Sequence, residues 1–549
     1  MVRIESLNHR GEGVGRVLSG PYEGLTVFVP GTVPGDVAQT FFVEKKKTFA
    51  RAQVKRILEQ GEGRVGEACP VASKCGGCSW QHMDYGVQLE WKTKIVEEAF
   101  HRIARVFDCE ISPCVPSPKI LGYRNKVEVP VAYENGQVVA GFYEPYTHNV
   151  VPAQDCLVEH PAVRNVIKHL LDQVRKRRYK VYNEKTGRGA VRHLVARVAP
   201  GTDEAVAVLV STGHRLSGLN DMASELMESI PNLRSVVLNV NDEATNMIFG
   251  DRDYLIAGRP YIQDVFGSET KGSGSLGRLR FRISPRSFYQ VNSYQAVNLY
   301  TTALSWAELK PNDVVYDVYS GIGTISLFAA LRASFVVGVE EVEPAVKDAF
   351  RNARDNGIEN VTFKAGKAAR AIPGLLAEYP RPDVVIMDPP RGGAEKETLA
   401  AIADIKPRSI VYVSCNPSTF ARDMLFLKER GWKAVKCQPF DMFPMTSHVE
   451  TVVLLSHKNA DSFISVKMEY EEGVDRLPER VTYSMIQVYI EGKYAFKVHT
   501  AYIAEVKRSL GLPMYDAPNG VDELKHAYKP APAHKVEAIK DALKHFGVI

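Results

Sequence analysis

One pattern dominates the sequence between residues 286 and 457, where short apolar, β-branched runs alternate with stretches of helical periodicity. Parallel strands that are buried on both faces read as continuous apolar runs, and helices usually connect them. The alternation therefore predicts an α/β fold with a doubly wound, mainly parallel sheet that helices cover on both faces. Ligands of such a fold bind at the carboxyl ends of the strands. The predicted strands are DVVYDVY, FVVGVE, VTFKAG, DVVIMD, SIVYVSC and ETVVLLS.

The rest of the chain predicts three further regions, since 549 residues are too many for one core. Residues 1–58 alternate short apolar runs with Gly and Pro turns, which predicts a small antiparallel β-barrel of three or four strands. Residues 59–285 begin with a cysteine-containing segment and then mix helix and strand patterns, which predicts a central α+β region that binds the substrate.

Residues 458–549 form a carboxyl-terminal extension with two helical patterns. These are TYSMIQVYIEGKY and TAYIAEVKRSLG, and Thr500 is a candidate cap for the second. We interpret the extension as a helical cap or a partner-binding appendage. The alternative is a helix-turn-helix reader of nucleic acid with Lys507 and Arg508 on phosphate.

Positive charge is concentrated in two places, although the net charge is only +5. Residues 164–215 hold twelve Lys or Arg against four Asp or Glu, and Lys45–Lys47 form a second basic run. Repeated basic zones with aromatic residues indicate a polyanionic partner, so RNA or DNA is a candidate. Because the sequence has no apolar stretch typical of a signal peptide or a membrane span, we expect a cytoplasmic monomer without membrane contact.

Three strand ends in the alternating region carry residues that suit a nucleoside. Asp317–Gly323 lies at the turn from the first strand into the first helix, where glycine lets the backbone approach a ligand. Glu340 ends the second strand, where a carboxylate can accept both ribose hydroxyls, and Asp388 opens a stiff DPPR turn after the fourth. Residues 321–326 read GIGTIS rather than GxGxxG, so the pattern favours a single nucleoside such as S-adenosylmethionine over NAD.

Cys415 ends another predicted strand, on the same edge of the sheet as Glu340 and Asp388. A buried cysteine is usually inert packing, but this position at the ligand-binding edge favours a nucleophile. Glu450 opens the last apolar strand, in SHVETVVLL, and is a candidate general base. The alternative for Glu450, an ordinary exposed residue at a strand start, fits the ligand edge less well.

Taken together, DVYSGIG, DPPR, SCNP and HVET, with SFYQVN at residues 287–292, resemble the RNA 5-methyluridine methyltransferase family. The amino-terminal segment resembles the TRAM domain of this family, and LGYRNKVEVPV at residues 121–131 resembles its central RNA-binding domain. The resemblance extends over about residues 1–457. It implies a Rossmann-like S-adenosylmethionine methyltransferase sheet in the alternating region.

The resemblance also implies a role for each candidate residue. Cys415 would be the nucleophile and Glu450 the base, while Arg391 and Asn416 would lie near the target base. These roles fit the chemistry, because carbon 5 of uracil is a poor nucleophile until a thiolate adds to carbon 6. Thr324 is a departure, since family members often carry Asn directly after GxG. The residues implied in S-adenosylmethionine binding are Gln290, Tyr319, Glu340 and Asp388.

Four cysteines have the spacing of a metal centre, with Cys69-x5-Cys75-x2-Cys78 followed by Cys156. Four thiolates suit zinc or an iron–sulfur cluster, and spacing does not separate the two. The family resemblance implies a [4Fe-4S] cluster that organises the RNA-binding region and takes no part in radical chemistry. The remaining cysteines are interpreted as packing or surface residues: Cys109, Cys114 and Cys437.

The predicted function is therefore the transfer of a methyl group from S-adenosylmethionine to carbon 5 of uridine in RNA. We favour 23S ribosomal RNA as the substrate, because the tRNA enzymes with a similar catalytic domain usually lack the barrel and the cysteine cluster. Transfer RNA stays an alternative, since some family members with both features modify it. A noncatalytic RNA-binding or ribosome assembly factor is another alternative, but the presence of Cys415 and Glu450 argues against it.

Overall fold

The structure is a computed structural model with two compact units, Met1–Asp461 and Ser462–Ile549. The first unit contains a closed barrel, a seven-stranded sheet, a two-stranded sheet and an eight-stranded sheet. Its division into separate domains at the predicted boundaries stays a prediction. Among the described residues, none of the helices combines the length and the apolar character needed to cross a membrane. The structure describes residues 1–268, 276–457, 483–494, 496–510, 512, 531–546 and 548.

The amino-terminal barrel consists of five strands, β1 Val2–Leu7, β2 Gly13–Val17, β3 Thr26–Val29, β4 Val37–Lys45 and β5 Phe49–Glu59. Their order is β1-β2-β3-β5-β4, and antiparallel pairing of β1 with β4 closes the barrel. The predicted small barrel is confirmed, but the prediction of three or four antiparallel strands is wrong, because there are five strands and β3 pairs with β5 in parallel. The long strands β4 and β5 bend through three register shifts, which lets a short chain close into a barrel.

The segment after the barrel packs against the sheet at the end of the first unit. It consists of α1 Tyr85–Ala99, a π-helical turn at Phe100–Ala104 and a two-residue strand, β6 Glu110–Ile111. The apolar face of α1 belongs to the same hydrophobic core as the eight-stranded sheet. Lys92 of α1 forms an ion pair with Asp441, and both side chains are completely buried.

Residues 126–258 form the seven-stranded sheet and two helices that pack on it. The sheet has an aliphatic core shared with both helices, and its strands are antiparallel except for one parallel pair. The elements are β7 Lys126–Glu134, β8 Gln137–Tyr143, β9 Val150–Pro152, α2 Pro161–Lys176, β10 Val191–Ala199, β11 Glu204–Ser211, α3 Leu219–Ser229, β12 Leu233–Val240 and β13 Arg252–Gly258. The spatial order is β13-β12-β11-β10-β7-β8-β9.

An antiparallel pair of strands, β14 Ile262–Ser268 and β15 Gly277–Ile283, leads into the last sheet. The chain then enters α4 Ser293–Ala307, which is capped by Asn292, whose side chain accepts a hydrogen bond from the backbone N–H of Gln295. The loop between β15 and α4 contains the SFYQVN stretch, so these elements position that stretch beside the sheet.

The eight-stranded sheet has the order β18-β17-β16-β19-β20-β22-β21-β6. The elements that form it are β16 Val314–Val318, α5 Thr324–Ala330, β17 Phe335–Glu340, α6 Glu343–Asp355, β18 Val361–Ala365, α7 Ala368–Glu378, β19 Val384–Met387, α8 Lys396–Ile405, β20 Ser409–Ser414, α9 Pro417–Lys428, β21 Trp432–Phe440 and β22 Glu450–His457. β16 to β20 are parallel, and β22 and β21 add antiparallel strands.

Both faces of this sheet are buried, as the sequence predicts. In β16, Val315 belongs to one hydrophobic core, while Val314 and Tyr316 belong to another. The chain moves outward from β16 to β18 and then returns to place β19 beside β16, so the strand order reverses between β16 and β19. A crevice opens at such a switch point, at the carboxyl ends of the strands. The predicted doubly wound α/β fold is confirmed.

The second unit has three described helices around an aliphatic core, α10 Tyr483–Tyr494, α11 Thr500–Ser509 and α12 Ala533–His545. The two helical patterns of the extension correspond to α10 and α11, whereas α12 was not predicted. The prediction of Thr500 as a cap is wrong, because Thr500 is the first residue of α11. The cap is His499, whose Nδ1 accepts a hydrogen bond from the backbone N–H of Ala501 at 3.3 Å.

Candidate active site

A cavity of about 510 Å³ lies at the switch point of the eight-stranded sheet. We call it the catalytic cavity. The structure brings together in its wall all six residues that the sequence singles out for catalysis and cofactor binding, although they are spread over 160 positions of the sequence. They are Gln290, Tyr319, Glu340, Asp388, Cys415 and Glu450.

The turn after β16 brings the backbone close to this cavity. Tyr319 has a φ of 71°, a left-handed conformation that is costly for a residue with a side chain and that occurs often at functional sites. The backbone N–H groups of Tyr319 and Ser320 both donate to the carbonyl of Val339, which holds the turn against β17. Gly323 has a φ of 84°, and a Cβ there would lie 2.9 Å from the ring of Phe363. Glycine is therefore required at Gly323 for both reasons.

Glu340 at the end of β17 is oriented by the same turn. Its Oε2 accepts a hydrogen bond from the backbone N–H of Gly321 at 2.9 Å, and its Oε1 accepts one from Val342 at 2.8 Å. Each carboxylate oxygen has a second lone pair, which is available to a ligand. Glu340 is thus a fixed pair of acceptors, as binding of two ribose hydroxyls requires.

Two further carboxyl groups line the catalytic cavity, the buried Asp317 and the half-buried Asp388. Burial raises the pKa of Asp317 to about 7, against the opposing hydrogen bonds from Ser326. Burial, with the nearby Asp317, also raises the pKa of Asp388 to about 7. Desolvated carboxylates without a cation favour their protonated forms, and a cationic ligand reverses that preference. The cavity therefore suits a positively charged ligand.

Cys415 stands between a strand and a helix that fix its position. β20 ends at Ser414, and the side chain of Asn416 accepts a hydrogen bond from the backbone N–H of Ser418 to begin α9. Burial raises the pKa of the Cys415 thiol to about 12, with a further contribution from Glu450 and then Asp388. Arg391 acts in the opposite direction. The thiol of the free protein is therefore protonated at neutral pH.

Glu450 is the neighbour of Cys415 because of the strand register. Ser414 pairs with Thr451 in the antiparallel β20–β22 ladder, so Cys415 and Glu450 are the next residues opposite one another. The Glu450 side chain is only 3% exposed. Burial, followed by the charge of Asp388, raises its pKa to about 8, and Arg391 opposes this shift. A thiol and a carboxyl group with strongly raised pKa values thus share one wall of the cavity, a combination typical of catalytic sites.

Side chains of β10 and β14 hold the SFYQVN loop against the catalytic cavity. Arg197 of β10 is only 2% exposed, and its Nη1 donates to the carbonyl of Ser287 at 2.8 Å. The hydroxyl of Tyr289 donates to Asp264 Oδ2 at 2.9 Å. Between these two anchors, Phe288 is 66% exposed and lines the cavity. The loop therefore presents one free aromatic face next to the buried Gln290.

Comparison with known proteins decides the family. The family described as tRNA (uracil-5-)-methyltransferase matches residues 273–458. A protein of Caldanaerobacter subterraneus described as an uncharacterized RNA methyltransferase is 42% identical over 454 residues, which are 83% of this chain and 97% of the relative. A protein of Halalkalibacterium halodurans with the same description is 39% identical over 458 residues, again 83% and 97% of the two chains. The chain belongs to the RNA 5-methyluridine methyltransferase family.

A solved structure supports the assignment of the chain to this family. The tRNA (uracil-54, C5)-methyltransferase of Pyrococcus abyssi, determined in complex with S-adenosyl-L-homocysteine, is similar with a TM-score of 0.63 at 29% sequence identity. The similarity covers 83% of this chain and all of the other. The fold predicted from the sequence, an S-adenosylmethionine methyltransferase sheet preceded by a small barrel, is confirmed. The protein is an RNA methyltransferase rather than a noncatalytic factor.

A third set of predicted site residues in the methyltransferase lies apart from the sheet edge. The thiols of Cys69, Cys75, Cys78 and Cys156 line a cavity of about 300 Å³, and the backbone N–H of Gly77 donates to Cys75 Sγ at 3.4 Å. Four thiols on one cavity form a donor set that suits a sulfur-ligated centre. Among the described residues, however, no three His, Cys, Asp or Glu side chains are close enough to hold a metal ion.

Several residues of the methyltransferase site were not predicted from the sequence. Phe288 lies within the SFYQVN stretch, and an exposed aromatic residue beside Gln290 was a signal that could have been used. Arg197 is a charged residue inside the apolar strand RHLVARVA, which is a weaker signal of a buried polar role. Arg124 lines both the catalytic cavity and the cysteine cavity, and nothing in the local sequence indicates this.

Proposed function

We propose that the methyltransferase transfers the methyl group of S-adenosylmethionine to carbon 5 of a uridine in 23S ribosomal RNA, through a covalent bond between Cys415 and carbon 6. One observation carries this proposal. Cys415 directly follows β20 and Glu450 begins the neighbouring β22, one position beyond the last ladder pair Ser414–Thr451, and both lie in the wall of the cavity that also holds the cofactor candidates. A protein that only binds RNA has no use for a half-buried thiol and a buried carboxyl group at this place.

The catalytic cavity supplies the groups that S-adenosylmethionine requires. Glu340 presents two oriented oxygens for the ribose hydroxyls, and Gln290 and Tyr319 border the same space. The sulfonium of the cofactor is a cation, and Asp388 and Asp317 are the carboxyl groups that it would stabilise in their ionised forms. The charge of the cavity is thus complementary to this cofactor.

The chemistry follows from the nucleophile and base. The Cys415 thiol gives its proton to solvent and its sulfur bonds to carbon 6, which turns carbon 5 into an enolate carbon that attacks the sulfonium methyl group. S-adenosylhomocysteine leaves. The ionised Glu450 then removes the proton from carbon 5, the carbon–sulfur bond breaks, and the Cys415 thiolate is released. Glu450 then passes its proton to solvent and the Cys415 thiolate takes one back, so the net reaction moves one methyl group to carbon 5 and releases one proton.

The target base must leave its stack to reach Cys415. Phe288 offers an exposed ring at the cavity, and unstacked bases of RNA commonly stack on aromatic side chains. We propose that Phe288 supports the flipped uracil. With the cofactor bound, the sulfonium charge also lowers the pKa of Glu450 from about 8, which favours the ionised form of this carboxyl group before methyl transfer.

The substrate proposal rests on the barrel and the four cysteines, which accompany the catalytic sheet in this chain. Transfer RNA is the second candidate. It is favoured by the similarity to the Pyrococcus abyssi enzyme, which methylates uracil 54 of tRNA, because that similarity covers the whole length of the Pyrococcus abyssi chain. The two candidates are distinguished by incubating the protein and the cofactor with unmodified transcripts of 23S ribosomal RNA and of tRNA. The RNA is then digested to nucleosides and its 5-methyluridine is measured. We expect 5-methyluridine from the ribosomal transcript.

For the cysteine cavity we propose a [4Fe-4S] cluster held by Cys69, Cys75, Cys78 and Cys156, with zinc as the alternative. The cluster would fix the segment between the barrel and α1. We propose that the barrel and α1 both contact RNA. Anaerobic purification should give iron and acid-labile sulfide in equal amounts, and alanine at Cys75 should remove both. Cys109→Ala is the matched control. Zinc without sulfide would refute the cluster.

The nucleophile is tested by mass spectrometry of the protein incubated with S-adenosylmethionine and 5-fluorouridine-substituted RNA. A base cannot remove fluorine from carbon 5, so the reaction should stop at a methylated adduct on the peptide that contains Cys415. The adduct should be absent from Cys415→Ala and present in Cys109→Ala. If Cys415→Ala forms the adduct, or wild type forms none while binding the cofactor, the covalent mechanism is wrong.

A further inference from the structure

A second cavity, of about 360 Å³, also reaches the nucleophile. It shares Cys415, Arg391 and His448 with the catalytic cavity. Its other walls come from the barrel, from the glycines of the CGGC segment and from the loop before β22. We call it the flanking cavity. Whatever occupies it is adjacent to whatever is bonded to Cys415.

The barrel contributes a rigid loop to this cavity, residues 8–12. Asn8 Oδ1 accepts hydrogen bonds from the backbone N–H groups of Arg10 at 2.9 Å and Glu12 at 3.1 Å, which shapes the turn. The carbonyl of Gly11 accepts a hydrogen bond from the buried indole of Trp80 at 3.1 Å. Gly11 has a φ of 78°, and a Cβ there would lie 2.7 Å from Ser447 Cβ. The loop is therefore docked tightly beside the residues that precede Glu450.

This docking places His9 and Arg10 in the wall of the flanking cavity. Two arginines, Arg10 and Arg391, line this space together with His9 and His448. No carboxylate is among the described residues that line it. The catalytic cavity is the opposite, since five carboxyl groups line it: Asp317, Glu340, Glu341, Asp388 and Glu450. One cavity suits a cation, and the other suits an anion.

We propose that the flanking cavity binds the nucleotide next to the target uridine, with Arg10 and Arg391 on the phosphate between the two. This inference rests on the proposed function. A uridine bonded to Cys415 carries a phosphodiester on each side, so the RNA chain must continue into space adjacent to the thiol. The flanking cavity is such a space, and its charge matches phosphate, which Arg binds through paired N–H groups.

Arg10 is the residue to test, because it is exposed and belongs to the barrel rather than to the catalytic sheet. The measurement is the equilibrium affinity of the protein for unmodified 23S ribosomal RNA and tRNA transcripts, without cofactor, over a range of KCl concentrations. Arg10→Ala should weaken the affinity by about three- to tenfold and reduce the salt slope by about 1, as expected for one lost phosphate contact. Arg10→Lys should keep the slope.

Arg3→Ala is the matched control, since Arg3 is a 53% exposed barrel arginine outside the cavity. The RNA affinity and the salt slope of Arg3→Ala should equal those of wild type. The affinity for S-adenosylmethionine should be the same in all variants. If Arg10→Ala behaves as wild type, or if both alanine variants lose affinity equally, the flanking cavity is not a phosphate site. Because binding is measured without methyl transfer, a wild-type protein that methylates neither transcript refutes the proposed function separately.

Discussion

Binding of S-adenosylmethionine should release a proton, because the cavity holds carboxyl groups that are protonated in the free protein. The clearest case is Asp388, whose pKa is raised to about 7 by burial and by Asp317. A cation bound beside this carboxyl group favours the ionised form. At pH 6 the free protein therefore carries a proton on Asp388 that the complex lacks.

The size of the effect follows from the two pKa values. If the bound cation returns the pKa of Asp388 toward its usual 3.8, close to one proton leaves for each cofactor bound between about pH 5 and 7. For each proton released, the Kd should then fall by about tenfold per pH unit in this range, and the contribution of Asp388 should end above about pH 7. The raised folded pKa also means that the contribution of Asp388 to the free energy of unfolding decreases as the pH rises from about 4 to 7.

Isothermal titration calorimetry from pH 5.5 to 8 checks this, in two buffers with different heats of ionisation so that the released proton is counted. Asp388→Asn should bind more weakly and show a smaller pH dependence below pH 7, because only Asp317 then remains to release a proton. Glu450→Gln is the control, and it should keep that dependence because its own pKa lies near 8. A Kd that does not change with pH in wild type, or an equal slope in Asp388→Asn, would refute the reasoning.

Three further outcomes are expected. Glu450→Gln should still form the covalent bond to RNA but release methylated product about 10²- to 10⁴-fold more slowly, so an RNA–protein adduct should persist on denaturing gels with ordinary uridine RNA; unchanged turnover would exclude Glu450 as the base. Lys92→Met leaves the buried carboxylate of Asp441 without its ion-pair partner and should lower the free energy of unfolding, measured in urea, by about 3–5 kcal/mol. The double variant with Asp441→Leu should recover most of this loss. A loss below about 1 kcal/mol in Lys92→Met would contradict the prediction. Arg197→Met removes the bond to the Ser287 carbonyl and should weaken cofactor affinity about tenfold, measured by titration, while the salt slope of RNA binding should not change.

The catalytic sheet could be predicted from the sequence because its determinants are local. A strand such as VVYDV is buried at every position, and that alone separates it from the half-exposed strands of the barrel. The site could be predicted for a related reason. Each of Tyr319, Glu340, Asp388 and Cys415 follows or ends a strand, and a parallel sheet gathers its carboxyl ends at one edge.

Features that depend on distant partners could not be predicted. β6 has only two residues and no pattern, and it becomes a strand because Glu110 and Ile111 pair with β21. β21 itself contains two lysines and a register shift, which disguise its alternation. His499 caps α11 although Thr is a commoner cap, because the local backbone places the His499 Nδ1 within hydrogen-bonding distance of the Ala501 N–H. The position of Arg10 beside Cys415 depends on how two regions dock.

The pairing of β6 with β21 also has a consequence for the order in which the protein matures. Gln438 in β21 donates a hydrogen bond to the carbonyl of Pro113, which precedes it by 325 residues. At the usual rate of translation, this separation corresponds to roughly 15–65 s during which the ribosome has not yet made the partner. The barrel strands find all of their partners within residues 2–59, so the barrel can fold as soon as it emerges. The apolar face of α1, in contrast, must wait in the nascent chain, and chaperones that bind exposed apolar helices have this interval in which to act.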